Sequence, residues 1–192
     1  MDEQLDIYDE NKTLVGRTHP RGIPRADGGF CLVVHVLVQN SDGLFLITRR
    51  AHKHYLPDFW ENTGGAVIAR ETSLEAAMRE FNEETGFTLI PKFGELLFTD
   101  KVVKSGWRCF MDNWLFRQDF DIADFVPQEG ETVAARWATL EEIIALHKNN
   151  EFVPFAETGL DGYFERLGLL WKYLTILGEE PMELDIGNII LK

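Results

Sequence analysis

The pattern of the 192 residues predicts an α/β fold of the α+β kind, a mixed β-sheet covered by helices, with a leading β-hairpin and a late helix. Three observations carry this. Short apolar or alternating runs recur along the chain, separated by Gly-, Pro-, Asn- and Asp-containing turns. Two segments carry helix start signals instead, each a Thr followed three residues later by a Glu. The strand runs and helix signals alternate, which favours a mixed sheet over a purely antiparallel one.

In chain order, residues 5–18 place two short runs around Asp9-Glu10-Asn11-Lys12, the composition of a hairpin turn. The segment 19–29, with two prolines and three glycines, continues neither helix nor central strand and reads as a joint to the body. From Phe30 the run FCLVVHVLV is apolar except for His35, and Asn40-Ser41-Asp42-Gly43 separates it from LFLIT: a buried strand, a turn and a second strand. A short strand passes through Gly64-Gly65. The helix that follows is capped by Thr72 or Ser73, with Glu75 as the capping-box acid if Thr72 is the cap, and Gly86 stops it. Runs at 93–103 and 107–116 flank Lys104-Ser105-Gly106 as a hairpin. After an acidic loop at 118–130 come the strand TVAARWA and a helix capped by Thr139 with Glu142. A last helix is expected from Asp161 to about Leu177. The chain therefore reads as one domain: hairpin and joint at 1–28, core at 29–150, helix and tail at 151–192.

Composition narrows the function. Nineteen Lys and Arg against 32 Asp and Glu give a net charge of −13, which disfavours nucleic acid polymers and anionic membranes as partners. The acidic start MDEQLDIYDE resembles no secretory signal, no apolar run has transmembrane length, and Cys31 and Cys109 form no metal-type spacing, so the cytoplasm is the expected compartment.

Chemistry concentrates in GAVIARETSLEAAMREFNEETGF, residues 65–87. On a helix Glu80, Glu83 and Glu84 fall within an arc of about 100°, while Leu74, Ala77, Met78 and Phe81 form an apolar stripe centred roughly 120° away. Three carboxylates so placed repel one another, and a hard divalent cation, Mg²⁺ or Mn²⁺, would compensate them and bridge to a phosphate. Arg79, turned inward, suits a bidentate contact with one of the glutamates. A glutamate-rich amphipathic helix by itself is most often only a solvated face. Glu75 points away from the trio and is expected to pair with Arg79 or solvent.

Every fixed position of GX5EX7REUXEEXGU is filled in this segment, with Phe81 and Phe87 at the bulky apolar places, so the chain resembles the Nudix hydrolases. The resemblance implies an α/β/α sandwich and Mg²⁺ or Mn²⁺ held by Glu80, Glu83, Glu84 and the carbonyl of Gly65. It also implies support of the loop by Glu71, supporting roles for Gly64 and for the helix-terminating Gly86, and positioning of a catalytic glutamate by Arg79. The implied reaction is attack of an activated water on a small-molecule diphosphate. Glu129 and Glu131 precede TVAARWATLEE as in the family's later loop, which in some members supplies a general base; Glu131 is the first candidate.

Outside that box, RRAHKH gathers Arg49, Arg50, His52, Lys53 and His54 into a cationic island, suited to clamping phosphates or to pairing with nearby acids. Trp60 stacks on a base or fills the core, and His35 belongs to core or cleft. The opening hairpin, DENKTLVGRTHP and the strand leading to RR resemble the branch that holds isopentenyl-diphosphate isomerases and their hydrolase relatives. The loop after Trp60, however, lacks the cysteine that those isomerases use, and the complete box favours hydrolysis. Isomerisation and non-catalytic nucleotide sensing stand as the alternatives. The late helix, with Trp171 and Tyr173, and the tail suit covering the cleft, completing the core or forming a homodimer interface.

Overall fold

The computed structural model describes residues 3–23, 28–52, 56–104 and 107–154. The expected helix at 161–177, the tail, Lys53, His54 and the turn residues Ser105 and Gly106 lie outside the described residues. The hairpin is formed by β1 (Gln4–Tyr8) and β2 (Leu14–Pro20), with Lys12 in the left-handed region at its turn (φ 62°). The strands β3 (Cys31–Gln39), β4 (Phe45–Arg50), β5 (Trp60–Glu61), β6 (Thr63–Ala66), β7 (Gly94–Lys104), β8 (Trp107–Arg117) and β9 (Thr132–Ala138) form one sheet. Along it the order is β5-β4-β3-β8-β7, with β6 also on β3 and β9 on β4. The β3–β8 pairing is parallel and the others are antiparallel, so the sheet is mixed as expected.

Among the described residues the two α-helices, α1 (Ser73–Thr85) and α2 (Leu140–Lys148), take opposite faces of that sheet, and strand periodicity shows why. Leu32, Val34, Val36 and Val38 of β3 pack in one cluster with Ala76, Ala77 and Phe81 of α1. Leu37, Phe45 and Ile47, of the other parity, pack with Leu140, Ile143 and Ile144 of α2. A strand covered on both faces must be largely apolar, as β3 is apart from His35 and the terminal Gln39. Phe81 is 1% exposed and anchors the helix that carries the carboxylates; truncating such a side chain typically costs about 3–5 kcal/mol.

Both helix starts obey their sequence signals. Thr72 accepts from the Glu75 N–H and Glu75 returns a bond to the Thr72 N–H, and Thr139 with Glu142 repeats the arrangement. Bonds donated by the Thr72 hydroxyl, at 2.7 Å, and by its N–H, at 2.8 Å, hold the Glu75 carboxyl below its usual range. The expected Glu75–Arg79 pair is therefore not made, because the cap engages Glu75 first. Gly86 closes α1 at φ 75° and gives its N–H to Asn82; a Cβ there would stand 2.8 Å from that of Val126. Among the described residues no helix is long and apolar enough to cross a membrane.

Candidate active site

A cleft of about 710 Å³ opens where α1, β3, β5, β6, the hairpin and the loop before β9 meet. Six glutamates line it: Glu80, Glu83 and Glu84 from α1, Glu61 from β5, Glu131 from the loop and Glu3 just before β1. Arg79 lines it too and ties the acidic side together. Its Nε and Nη2 donate to the two oxygens of Glu71 at 2.8 and 2.9 Å, and Nη2 also reaches the Ala66 carbonyl at 2.9 Å. Its Nη1 lies 2.9 Å from Glu80 Oε1 and 3.1 Å from Glu83 Oε2. Glu71 in turn accepts from the Ile68 N–H at 3.1 Å, so loop, helix and carboxylates are joined through one guanidinium. The fork geometry of arginine makes this possible; a lysine has no second planar edge.

Gly65 sets how closely the loop approaches the helix. A Cβ on it would stand 2.1 Å from the Glu80 carboxyl carbon and 2.2 and 2.4 Å from its oxygens. At Gly64 a Cβ would meet the His35 ring at 2.6 Å and the Val34 carbonyl oxygen at 2.7 Å. Both glycines lie in β6 beside β3, Gly65 opposite Val34 and Gly64 opposite His35. Removing side chains here brings a strand against both a neighbouring backbone and a carboxylate.

Burial controls the electrostatics. It raises the Glu80 carboxyl above its usual value, with Arg79 acting against it. It raises Glu84 well above, with Glu61 and Glu80 adding like-charge repulsion. Glu61 is pushed up to about 7, burial again first, partly opposed by Arg50 and reinforced by Glu131. Glu84 Oε2 is shut off from solvent with no hydrogen-bond partner. An all-oxygen donor set, a buried orphan carboxylate oxygen and a missing Cβ beside Glu80 together fit a hard divalent cation. Among the described residues no three acidic, imidazole or thiol groups already stand closed to metal-ligand spacing. Arg79 stands between Glu80 and Glu83, and Glu83, its side chain 44% exposed, is the member with room to turn.

The structure divides the cationic island. Arg50 lines the cleft and pairs with Glu61 at 2.9 Å. Arg49 does not: it binds Asp58 through a carbonyl contact at 3.1 Å and a carboxylate contact at 3.2 Å. With Trp60 it lines a separate depression of about 300 Å³. Trp60 packs against the α2 cluster and carries the Arg136 guanidinium 5.0 Å from its ring centre. Arg49 and Trp60 are therefore corrected as phosphate and base contacts of this cleft. Neighbouring residues on a strand face opposite ways, and sequence adjacency to Arg50 and Glu61 concealed that. His52 also pairs with Asp58, at 3.1 Å, while His35 lies in the cleft wall. Several cleft residues escaped the sequence reading, Glu61 and Arg21 among them. Glu61 reads only as part of the loop after Trp60, and Arg21 sits in the Pro/Gly joint, where no periodicity marks a side chain's direction.

The family model of the NUDIX domain matches residues 29–158. The chain is 36% identical over 155 residues to the uncharacterized Nudix hydrolase lmo0368 of Listeria monocytogenes, covering 80% of this chain and 89% of that one. It is 32% identical over 159 residues to the uncharacterized Nudix hydrolase YfcD of Escherichia coli, covering 79% and 81%. Among solved structures, DR0079 of Deinococcus radiodurans superposes with a TM-score of 0.65 at 25% identity, over 82% of this chain and 96% of that one. The MutT protein of Methanosarcina mazei shares the fold, with a TM-score of 0.56 at 23% identity over 71% and 94%. On the family match and these relatives, the chain belongs to the Nudix family of hydrolases.

Proposed function

We propose that this chain hydrolyses the diphosphate bond of a nucleoside diphosphate derivative or similar small organic diphosphate in the cytoplasm, using Mg²⁺ or Mn²⁺. The observation that carries this is the convergence on one guanidinium: Arg79 gathers Glu71, Glu80 and Glu83 where Gly65 leaves room for the Glu80 carboxyl. Glu80, Glu83, Glu84 and the Gly65 carbonyl would hold the cation, which when bound neutralises phosphate charge and acidifies the attacking water. Arg79 keeps Glu80 and Glu83 aimed into the cleft, and Glu71 fixes the loop that bears Gly65. The proton lost by water goes to the Glu61–Glu131 pair. Glu131 is the base the sequence suggests, and Glu61, with a pKa of about 7, titrates near neutral pH. Arg50 limits the negative charge there and is the member of the cationic island placed to meet a phosphate.

Incubation with Mg²⁺ and a panel of nucleoside diphosphate derivatives, dinucleoside polyphosphates and isopentenyl diphosphate tests this. Release of phosphate or nucleotide is expected, and Glu83→Gln should lower it by at least about 100-fold. A shifted double bond without release, or binding without turnover, would overturn the proposal. Cys109 is buried, and Cys31, although it lines the cleft, is only 4% exposed and turns its thiol to the Arg108 carbonyl at 3.5 Å, which speaks against the isomerase alternative.

A further inference from the structure

The chain has two cysteines, and the fold sets them directly opposite each other. Cys31 opens β3, Cys109 lies in β8, and the parallel pairing of these strands puts the two at one step of the register. Side chains directly opposite in a sheet leave it on the same face. Both residues accordingly belong to one apolar cluster, with Leu5, Val33, Ala66 and Met111. The Cys31 thiol leans toward β8, where it donates to the Arg108 carbonyl at 3.5 Å, one residue from Cys109.

Their access differs. Cys31 lines the cleft at 4% exposure, whereas Cys109 is fully enclosed. A small molecule entering the cleft therefore meets Cys31 first, and Cys109 is reached only through Cys31. Neither cysteine takes part in the hydrolysis proposed above.

We propose that Cys31 and Cys109 form a redox switch beneath the cleft: a hydroperoxide oxidises Cys31, Cys109 closes the product to a disulfide, and the cross-link weakens the glutamate site. The Cys31 thiolate attacks the outer oxygen of the hydroperoxide. The O–O bond breaks, an S–O bond forms, and the alcohol leaves with the Cys31 thiol proton. The Cys109 thiolate then attacks the Cys31 sulfur. The S–S bond forms, the S–O bond breaks, and the departing hydroxide takes the Cys109 proton to become water. Two thiols are oxidised, and one hydroperoxide is reduced to an alcohol and water.

Strand geometry makes the bond reversible. Neighbouring strands run about 4.7–4.9 Å apart, while the Cβ atoms of a disulfide stand roughly 3.8 Å apart. Closing the bond draws β3 and β8 together by about 1 Å at this step. A bond closed against such a spacing is readily reduced, which suits a pair that rests as thiols in a reducing compartment. The site feels the movement because β3 carries it: Val34 and His35, a few residues beyond Cys31, pair with Gly65 and Gly64 of β6. Gly65 already stands so near the Glu80 carboxyl that no Cβ fits between them. The effect on the site rests on the glutamate cluster being a cation site; the cross-linking does not.

The test treats the full chain with hydrogen peroxide and, after desalting, follows intact mass, non-reducing peptide maps, thermal unfolding and Mn²⁺ affinity, before and after reduction by dithiothreitol. The wild type should lose the mass of two hydrogens as a joined Cys31–Cys109 peptide appears. Its Mn²⁺ affinity should fall at least about threefold and return on reduction, with kcat/KM on the best substrate of the panel falling in step. Cys109→Ser should stop at a Cys31 sulfenic acid, trapped by dimedone, and Cys31→Ser should leave Cys109 unreacted. The alanine variants replace any serine variant that does not fold. Absence of the joined peptide, oxygen retained on Cys31 or Met111 in its stead, or a disulfide form with unchanged Mn²⁺ affinity overturns the switch and leaves the hydrolase proposal intact. If the panel yields no substrate, the hydrolase proposal falls while the peptide map and Mn²⁺ affinity still decide this one. A reduced wild type that binds no Mn²⁺ overturns both.

Discussion

Gly65→Ala isolates the close approach on which the site depends. The added methyl would stand 2.1 Å from the Glu80 carboxyl carbon, so the carboxyl must withdraw by about 1.4–1.9 Å to reach ordinary contact at roughly 3.5–4.0 Å. Glu80 is only 8% exposed, and Arg79 holds it at 2.9 Å. An off-rotamer χ costs roughly 0.5–1.5 kcal/mol and a weakened charge-assisted contact about 1–2 kcal/mol. A combined loss of about 2–3 kcal/mol in the working arrangement corresponds to roughly 30- to 150-fold in rate. Because a side chain yields more readily than backbone, Tm should fall by less than about 10 °C. Gly64→Ala is the contrast: its methyl meets the Val34 carbonyl of the paired strand at 2.7 Å, so it should cost stability before chemistry, about 3 kcal/mol or more. The assay is kcat/KM on the best substrate of the panel beside thermal unfolding. Gly65→Ala activity within about threefold of wild type would refute the argument, since a misplacement of 1 Å in such a site typically costs about 100-fold.

Arg79→Lys keeps the charge but loses the two-point grip on Glu71. We expect about 1–3 kcal/mol lower stability in urea unfolding together with a large fall in kcat, and a change under about 0.5 kcal/mol would show the hub to be dispensable. Glu61 binds its proton more tightly folded (about 7) than at its ordinary value of 4.5. Stability from this group is therefore present at acid pH and lost as pH rises from about 4.5 to 7, by at most about 3–4 kcal/mol. Glu80 and Glu84, also raised, act with the same sign. Glu61→Gln should flatten that slope and raise Tm at pH 8; an unchanged slope would remove Glu61 from the buried cluster.

Local signals were legible wherever one interaction decides the structure. The caps at Thr72 and Thr139, the stop at Gly86 and the two-faced burial of β3 follow from patterns of three to nine residues. The meeting of Glu80, Glu83 and Glu84 follows from helical arithmetic alone. What lay hidden depends on which strand meets which edge. Arg49 and Arg50 are adjacent in sequence yet serve different cavities, and Glu61 enters the cleft only because β5 pairs with β4. Arg21 reaches the site through contacts that join residues more than 60 positions apart, among them Asp6 with Arg70 and Lys12 with Asp112. No local pattern encodes such a contact.

The central claim is that the glutamate cluster holds a divalent cation, and Mn²⁺ binding followed by electron paramagnetic resonance tests it without reference to turnover. The wild type should take up Mn²⁺, and Mg²⁺ should displace it. A Glu80→Gln/Glu84→Gln double variant should bind at least about tenfold more weakly, while Glu75→Gln, which changes only the helix cap, should match the wild type. Equal Mn²⁺ affinity in the wild type and the double variant would contradict the account.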